Sequence, residues 1–273
     1  FMTGMEGRAA TVRKAATLVL LRSSAAGPEV LLTTRPKHLR FMGGAAVFPG
    51  GATSPVDEDP AWEGCSVLSA EEAARALDDP SPEGALGAFV SALRETFEEV
   101  GLLLADGPVD RLDRAAADDP ASFLQGCIQL GLTLRTDLLH PAGRWVTPLG
   151  APVRFDARFF VAEAPSGWVP DPDPNEVDRC WWTTPADALA DLSAGHLLMA
   201  PPTIEMMQRL AGHEAFKDRD EIRRFPGLEA PRQEPSGDGR GRGERVILGE
   251  DRALGIVRLA PDGEERPPGQ ALD

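Results

Sequence analysis

The stretch Arg94-Glu95-Thr96-Phe97-Glu98-Glu99-Val100-Gly101-Leu102 constrains this chain more than any other. Leu86, Phe89, Val90, Leu93 and Phe97 recur at helical spacing, which predicts a helix with one apolar face. Gly101 supplies the left-handed residue that commonly closes such a helix. Glu95, Glu98 and Glu99 then fall at i, i+3 and i+4, on one face of the last turn. The helix dipole and their mutual repulsion both disfavour three anions at that end. A solvated glutamate face is the ordinary explanation of such a cluster; a hard cation is the chemical one, since Mg²⁺ and Mn²⁺ prefer carboxylate oxygens. Arg94, four residues before Glu98, is placed to hold one of these carboxylates.

Upstream, Val47-Phe48-Pro49-Gly50-Gly51 is an apolar run ending in a Pro-Gly-Gly turn. Two residues without a Cβ let backbone approach another group closely. Before that turn, Arg35-Pro36-Lys37-His38-Leu39-Arg40 is a basic loop in a chain of formal net charge −15. Solvation alone accounts for such a loop in isolation, but beside the glycines it reads as a wall facing an anion. The overall charge argues against nucleic acid as a partner, because phosphate backbones demand basic surface. A small anionic substrate would need local cations or metal ions.

Cys65, Cys127 and Cys180 are odd in number and widely spaced, so neither a disulfide framework nor a zinc site is expected and a reducing cytoplasm fits. No apolar run approaches the roughly 18 residues of a membrane span, and the first residues lack a secretory pattern, so no membrane partner is expected. The chain is read as a monomer or homodimer. His38, His140, His196 and His213 show no ligand spacing, and Trp145, Trp181 and Trp182 read as core.

Ala15 to Leu21 and Val30 to Thr34 read as strands joined by a turn. Ala70 to Leu77 and about Pro82 to Val100 read as helices, and Val109 to Leu132 as one or two more. Trp145 to Pro148, Phe155 to Ala162 and Val177 to Thr183 are strand-like. Pro185 to Leu192 and Thr203 to Ala211 read as helices capped by Thr184 and Thr203. Apolar strands around one functional helix, with further helices, indicate an α+β or α/β/α layered domain. The expected division is a domain over 12–225, with an insertion at about 52–81, and a loose extension over 226–273 in which Val246 to Leu259 is strand-like.

Pro49-Gly50-Gly51 together with Arg94-Glu95-x2-Glu98-Glu99-x-Gly101 resembles the Nudix box, G-x5-E-x7-R-E-U-x-E-E-x-G-U with U apolar. Arg94 follows Gly51 by 43 residues (94 − 51), 29 more than the 14 of an unbroken box (43 − 14), so the box is split. Asp57 stands at the acidic position six after Gly51, Leu86 stands eight before Arg94, and Thr96 takes the apolar position. Leu31-Leu32-Thr33, followed by Arg40-x3-Gly44-x3-Phe48-Pro49-Gly50-Gly51, is similar to the motif upstream of the box in coenzyme A diphosphatases. Trp145-Val146-Thr147-Pro148, the Arg154 to Phe160 segment and Trp182-Thr183-Thr184-Pro185 resemble the same branch, so the likeness runs from about Leu18 to Leu192.

The resemblance implies a Nudix α/β/α sandwich with a mixed sheet, and hydrolysis of a nucleoside diphosphate linked to another moiety. Coenzyme A or acyl-coenzyme A is the implied substrate. ADP-ribose or NADH is the alternative, and a non-catalytic nucleotide sensor is a third reading. Mg²⁺ or Mn²⁺ would be held by Glu95, Glu98, Glu99 and the Gly51 carbonyl, with Arg94 orienting a glutamate. In such enzymes a metal-bound water attacks the diphosphate. The base would be Glu95 or a later loop glutamate, Glu176 before Glu163. Arg35, Lys37, Arg40, Gly50, Gly51 and Arg158 are the expected substrate-binding residues.

Overall fold

The computed structural model describes residues 11–38, 42–149, 151 and 153–212. The two apolar runs near its start form one hairpin, β1 (Val12–Ser24) and β2 (Gly27–Thr34), in antiparallel register from Leu21↔Val30 to Ser24↔Gly27. Ser24 closes the turn, its hydroxyl donating to the Gly27 carbonyl at 2.7 Å and accepting from the Ala26 amide at 3.1 Å. Beyond Leu21 and Val30 the two strands diverge. β3 (Ala46–Val47) takes the free edge of β2, and β4 (Gly50–Ala52) takes that of β1 at Ala15 to Thr17. The Pro-Gly-Gly turn is thereby wedged inside the sheet.

After β4 come two 3₁₀ turns, Pro55–Glu58 and Pro60–Cys65, then α1 (Ala70–Ala76) and the long helix α2 (Ala85–Val100). A small hairpin of β5 (Ala105–Asp106) and β6 (Thr133–Leu134) brackets α3 (Pro120–Leu130). β7 (His140–Val146) and β8 (Arg154–Glu163) pair antiparallel, and β8 lies parallel to β1 along ten residue pairs from Val12↔Arg154 to Leu21↔Glu163. β9 (Arg179–Thr183) closes on the other edge of β2, and α4 (Pro185–Ser193) and α5 (Pro201–Gly212) complete the described chain. The sheet is mixed and seven-stranded.

Alternation along β1 and β8 decides which helices cover which face, because successive side chains point to opposite sides. Ala16, Leu18, Leu20, Phe160 and Ala162 pack with α1, α2 and α3. Val19, Leu21, Phe159 and Val161 pack with Ala188 of α4 and with Met206, Met207 and Leu210 of α5. Two cores on one sheet give the α/β/α layering that the sequence indicates. Phe89 of α2 and Phe160 of β8, both fully buried with ring centroids 4.5 Å apart, anchor the helix to the sheet. Truncating either to Ala would cost about 3–5 kcal/mol.

Several expectations shift at their boundaries: β7 is His140–Val146 rather than Trp145 to Pro148, β9 begins at Arg179 rather than Val177, and α2 at Ala85 rather than about Pro82. Val109 to Leu132 becomes two 3₁₀ turns, at Val109–Arg111 and Arg114–Asp118, before α3 begins at Pro120 under an Asp119 cap. Thr203 does not cap α5: the helix begins at Pro201, and Thr203 is buried inside it. Proline is well suited to a first turn, where its missing N–H leaves no intrahelical bond unmade. Residues 213–225, and the whole extension including the strand-like Val246 to Leu259, lie outside the described residues.

Candidate functional site

The apolar stripe of α2 (Leu86, Phe89, Val90, Leu93, Phe97 and Val100) is buried, and this orientation turns Glu95, Glu98 and Glu99 toward β4 and the loop before β9. A helix ends with four unpaired carbonyls, and here each finds a named donor. Gly101, left-handed at φ 76°, donates its amide to the Phe97 carbonyl at 3.0 Å. Arg114 donates from Nε and Nη2 to the Glu98 carbonyl, at 2.9 and 2.6 Å. The amides of Asp173 and Asp171 donate to the carbonyls of Glu99 and Val100, at 2.9 and 3.1 Å. The turn that carries the glutamates is thus strapped to the loop that carries Glu176.

Arg94 is buried and spends its guanidinium on three carboxylates. Its Nε and Nη2 bond both oxygens of Asp57, at 2.9 and 3.1 Å, and Asp57 is completely buried. Nη2 also donates to Glu95 Oε1 at 2.8 Å and Nη1 to Glu98 Oε2 at 3.2 Å, with the Ala117 carbonyl 3.3 Å from Nη1. Burial disfavours the charge on Arg94, but Asp57 and Glu95 outweigh it and hold its pKa above the usual arginine value. Asp57 also accepts from the Ser54 amide at 2.8 Å, closing the first 3₁₀ turn of the insertion.

The remaining carboxylate charge is not neutralised. Burial raises Glu95, with Arg94 opposing. Burial, then Glu95 and Glu176, push Glu98 up to about 8. Glu99 is raised well above the ordinary carboxylate range by burial, then by Glu95 and Glu176, with Arg35 and the Gly50 amide opposing. Its Oε2 is buried with no hydrogen-bond partner. An unpaired buried carboxylate oxygen costs about 1–3 kcal/mol or more, so this geometry carries an unmet demand for positive charge. Glu176 stands on an exposed loop, its carboxyl raised by desolvation and then by Asp118 and Asp173, and it shares a side-chain hydrogen bond with Glu98.

The glycine turn sets the distance to Glu95. A Cβ on Gly51 would lie 2.2 Å from Glu95 Oε2, so the carboxylate rests against bare backbone. Gly50 is held differently: its φ is +149°, and a Cβ there would meet the Ala16 carbonyl at 2.3 Å. Arg35 follows β2, its backbone bonded to Ala45 and Gly44, and its charge acts on both Glu99 and Glu176. Its Nε is buried without a partner.

Glu95, Glu98, Glu99, Arg94, Glu176, Gly50, Gly51 and Arg35 are therefore brought together. Lys37 is exposed near the rim, its amide bonded to Asp178 Oδ2 at 3.2 Å, and Arg40 lies outside the described residues. Arg158, expected to bind substrate, is not brought to the glutamates. It bonds Asp79 Oδ2 at 2.8 Å and the Leu77 carbonyl, in a cleft of about 120 Å³ at the opposite end of α2, lined also by Lys14, Glu58 and Arg144. Its alternation with Phe160 puts it on the α2 face of β8, and the insertion folds over it there. Glu163 is exposed at the end of β8. Trp182 packs edge-on to Trp168 and under the Arg22 guanidinium rather than presenting an open face. Arg114 and Asp118 are participants that sequence reasoning missed, since the Ala- and Asp-rich run around them has no periodicity to mark them.

Comparison with known proteins adds an independent finding. The family model described as the NUDT19 Nudix domain matches residues 66–210. Human acyl-coenzyme A diphosphatase NUDT19 is 29% identical over 254 residues, covering 75% of this chain and 67% of that protein. The Gallus gallus protein of the same name is 28% identical over 240 residues, covering 70% of this chain and 63% of that protein. The chain thus spans about two thirds of the length of these relatives, or a little less. A crystal structure of a Nudix hydrolase from Alicyclobacillus acidocaldarius superposes with a TM-score of 0.66 at 30% identity, covering 80% of this chain and 98% of that one.

Proposed function

Because the chain belongs to the NUDT19 Nudix domain family, we propose that it hydrolyses the diphosphate bond of a coenzyme A-type nucleotide, at the carboxylate cluster on the end of α2. The single observation that carries this reading is the buried, unpartnered Oε2 of Glu99 among Glu95, Glu98 and Glu176. Such a cluster is unfavourable for folding and makes sense where positive charge arrives with a ligand.

The residues fit a divalent metal ion in donor type. All are oxygen donors of the kind Mg²⁺ and Mn²⁺ select, and their mutual repulsion is what a cation relieves. Among the described residues no three such side chains already stand in ligating geometry. Arg94 bonds Glu95 Oε1 and Glu98 Oε2. The donors left over are Glu95 Oε2 beside Gly51, Glu99 Oε2, the second oxygen of Glu98 and the Gly51 carbonyl. Bound there, such an ion would offset the diphosphate charge and make a water more acidic.

The protein's own groups account for the rest. Arg35, with an unpaired Nε, would hold a phosphoryl oxygen and offset its charge where the net charge of −15 repels anions. Glu176, exposed on the loop strapped to the end of α2, would take the proton from the attacking water. The water oxygen adds to one phosphorus, the bridging P–O bond breaks, and two phosphomonoesters leave. No covalent bond to the protein is needed.

The test is a panel of coenzyme A, acyl-coenzyme A, dephospho-coenzyme A, ADP-ribose and NADH, with Mg²⁺ or Mn²⁺, products identified by mass. Cleavage of coenzyme A or its acyl form at the diphosphate, ahead of the others, is expected. A preference for ADP-ribose or NADH would reassign the substrate, and tight binding without cleavage of any would sink the enzymatic reading.

A further inference from the structure

We propose that Arg114 is a positioning residue for this carboxylate site, tying the turn of α2 that bears Glu98 and Glu99 to the loop that bears Glu176. The inference rests on the reading of those glutamates given above. One guanidinium reaches both sides: Nε and Nη2 bond the Glu98 carbonyl at 2.9 and 2.6 Å, and Nη1 bonds the Asp171 carbonyl at 2.5 Å. The amides of Asp171 and Asp173 bond Val100 and Glu99, while the Asp173 carbonyl accepts from the amides of Glu176 and Val177 at 3.1 and 2.8 Å. Arg114 therefore sits at the head of a continuous chain of bonds from the last turn of α2 to Glu176.

Its choice of partners separates it from Arg94. Arg94 neutralises carboxylates by occupying their oxygens. Arg114 places a cation at the negative end of the helix dipole while its two bonds to α2 go to a backbone oxygen, which leaves the glutamate oxygens free for a ligand. Its ion pair with Asp171 is slight by comparison, at 3.3 Å to a carboxylate that is 88% exposed. The same 3₁₀ turn offers the Ala117 carbonyl to Arg94 and sets Asp118 against Glu98, so it meets the cluster at three points. Gly101 supports the closure through its left-handed backbone at φ 76°, while a Cβ there would make only ordinary contact with Asp171 and Arg114.

The test measures Mn²⁺ binding by calorimetry on the full chain, together with hydrogen exchange at the amides of Asp171, Asp173 and Glu176. Arg114→Ala should weaken Mn²⁺ binding by about 10- to 100-fold, the usual effect of losing a group that orients metal ligands. It should also speed exchange at those three amides. Arg114→Lys should recover part of both, and Asp171→Ala, which keeps the carbonyl, should stay within about twofold of wild type on the scale of an exposed ion pair. Met207→Ala, a core variant on the opposite face of the sheet from α2, serves as a control for general destabilisation. Wild-type Mn²⁺ affinity in Arg114→Ala, or an equal loss in Met207→Ala, overturns the inference alone. Absence of Mn²⁺ binding by the wild type would overturn the reading of the glutamates, and this inference with it.

Discussion

Gly51 and Glu95 are in contact across the two halves of the split box: a single methyl group on Gly51 would stand 2.2 Å from the Glu95 Oε2 oxygen. The contact is made by tertiary structure, since β4 is held against β1 and α2 is pinned to the sheet by Phe89 and Phe160. Its neighbour Gly50 instead abuts the Ala16 carbonyl, so adjacent glycines answer to different constraints.

That difference predicts opposite phenotypes. Gly51→Ala meets only the flexible end of a side chain, so thermal stability should change by under about 1 kcal/mol while Glu95 is pushed aside and Mn²⁺ binding is lost. Gly50→Ala meets backbone at a φ that L-residues rarely adopt, so it should cost several kcal/mol, at least the roughly 1–3 kcal/mol of the strained conformation alone. Differential scanning calorimetry with Mn²⁺ titration separates the two, and equal melting temperatures for both variants would contradict the assignment.

Asp57→Ala should be strongly destabilising. Removing one partner of a buried ion pair costs about 3–5 kcal/mol, near the lower figure here because Arg94 keeps Glu95 and Glu98. For a domain of this size that corresponds to a fall in Tm of roughly 6–12 °C. Glu58→Ala, one residue on, loses only the part-exposed pair with Lys14 and should leave Tm almost unchanged.

In metal-free protein, stability should fall as pH rises. Glu98 titrates at an ordinary 4.5 when unfolded and at about 8 when folded. Between these values the folded state holds a proton that the unfolded state has released, so stability is complete below the lower value and is lost through the upper one. Glu95, Glu99 and Glu176 are shifted in the same direction. Melting in EDTA should show the decline, Glu98→Gln should flatten it, and turnover of that variant should drop by at least roughly 10²-fold. A melting curve in EDTA that rises over this range would refute the prediction.

Glu176→Gln should lower turnover by about 10²-fold or more with little change in Mn²⁺ affinity, if it is the base. The acid limb of the pH–rate profile should disappear with it. A nearly silent substitution would move the role to Glu95, whose own variant must then abolish that limb.

Much of this was legible in the sequence, and for identifiable reasons. Helix α2 announces itself because its apolar residues share one face, and the hairpin of β1 and β2 because two apolar runs flank a turn. Asp57 could be found by its spacing from Gly51, but nothing local reveals a partner 37 residues away. Arg114 acts through backbone carbonyls, which leave no trace in side-chain patterns. The loop bearing Glu176 likewise reaches the end of α2 through the amides of Asp171 and Asp173, bonded to the carbonyls of Val100 and Glu99, which only folding arranges. Nothing in the strand around Arg158 reveals its partner Asp79, which lies 79 residues earlier in the insertion.

The path from Asp57 to Arg94 has a kinetic consequence. In an uninterrupted box, chain connectivity alone would keep the acid near its arginine. Here the ends of a 37-residue separation must find each other, and closing such a loop costs entropy before any contact repays it. High contact order of this kind slows folding, so the glutamates are assembled by the fold rather than inherited from the helix. A peptide spanning α2 would carry Glu95, Glu98 and Glu99 and yet possess no site, and during refolding the ability to take up a cation should return only with the last long-range closures.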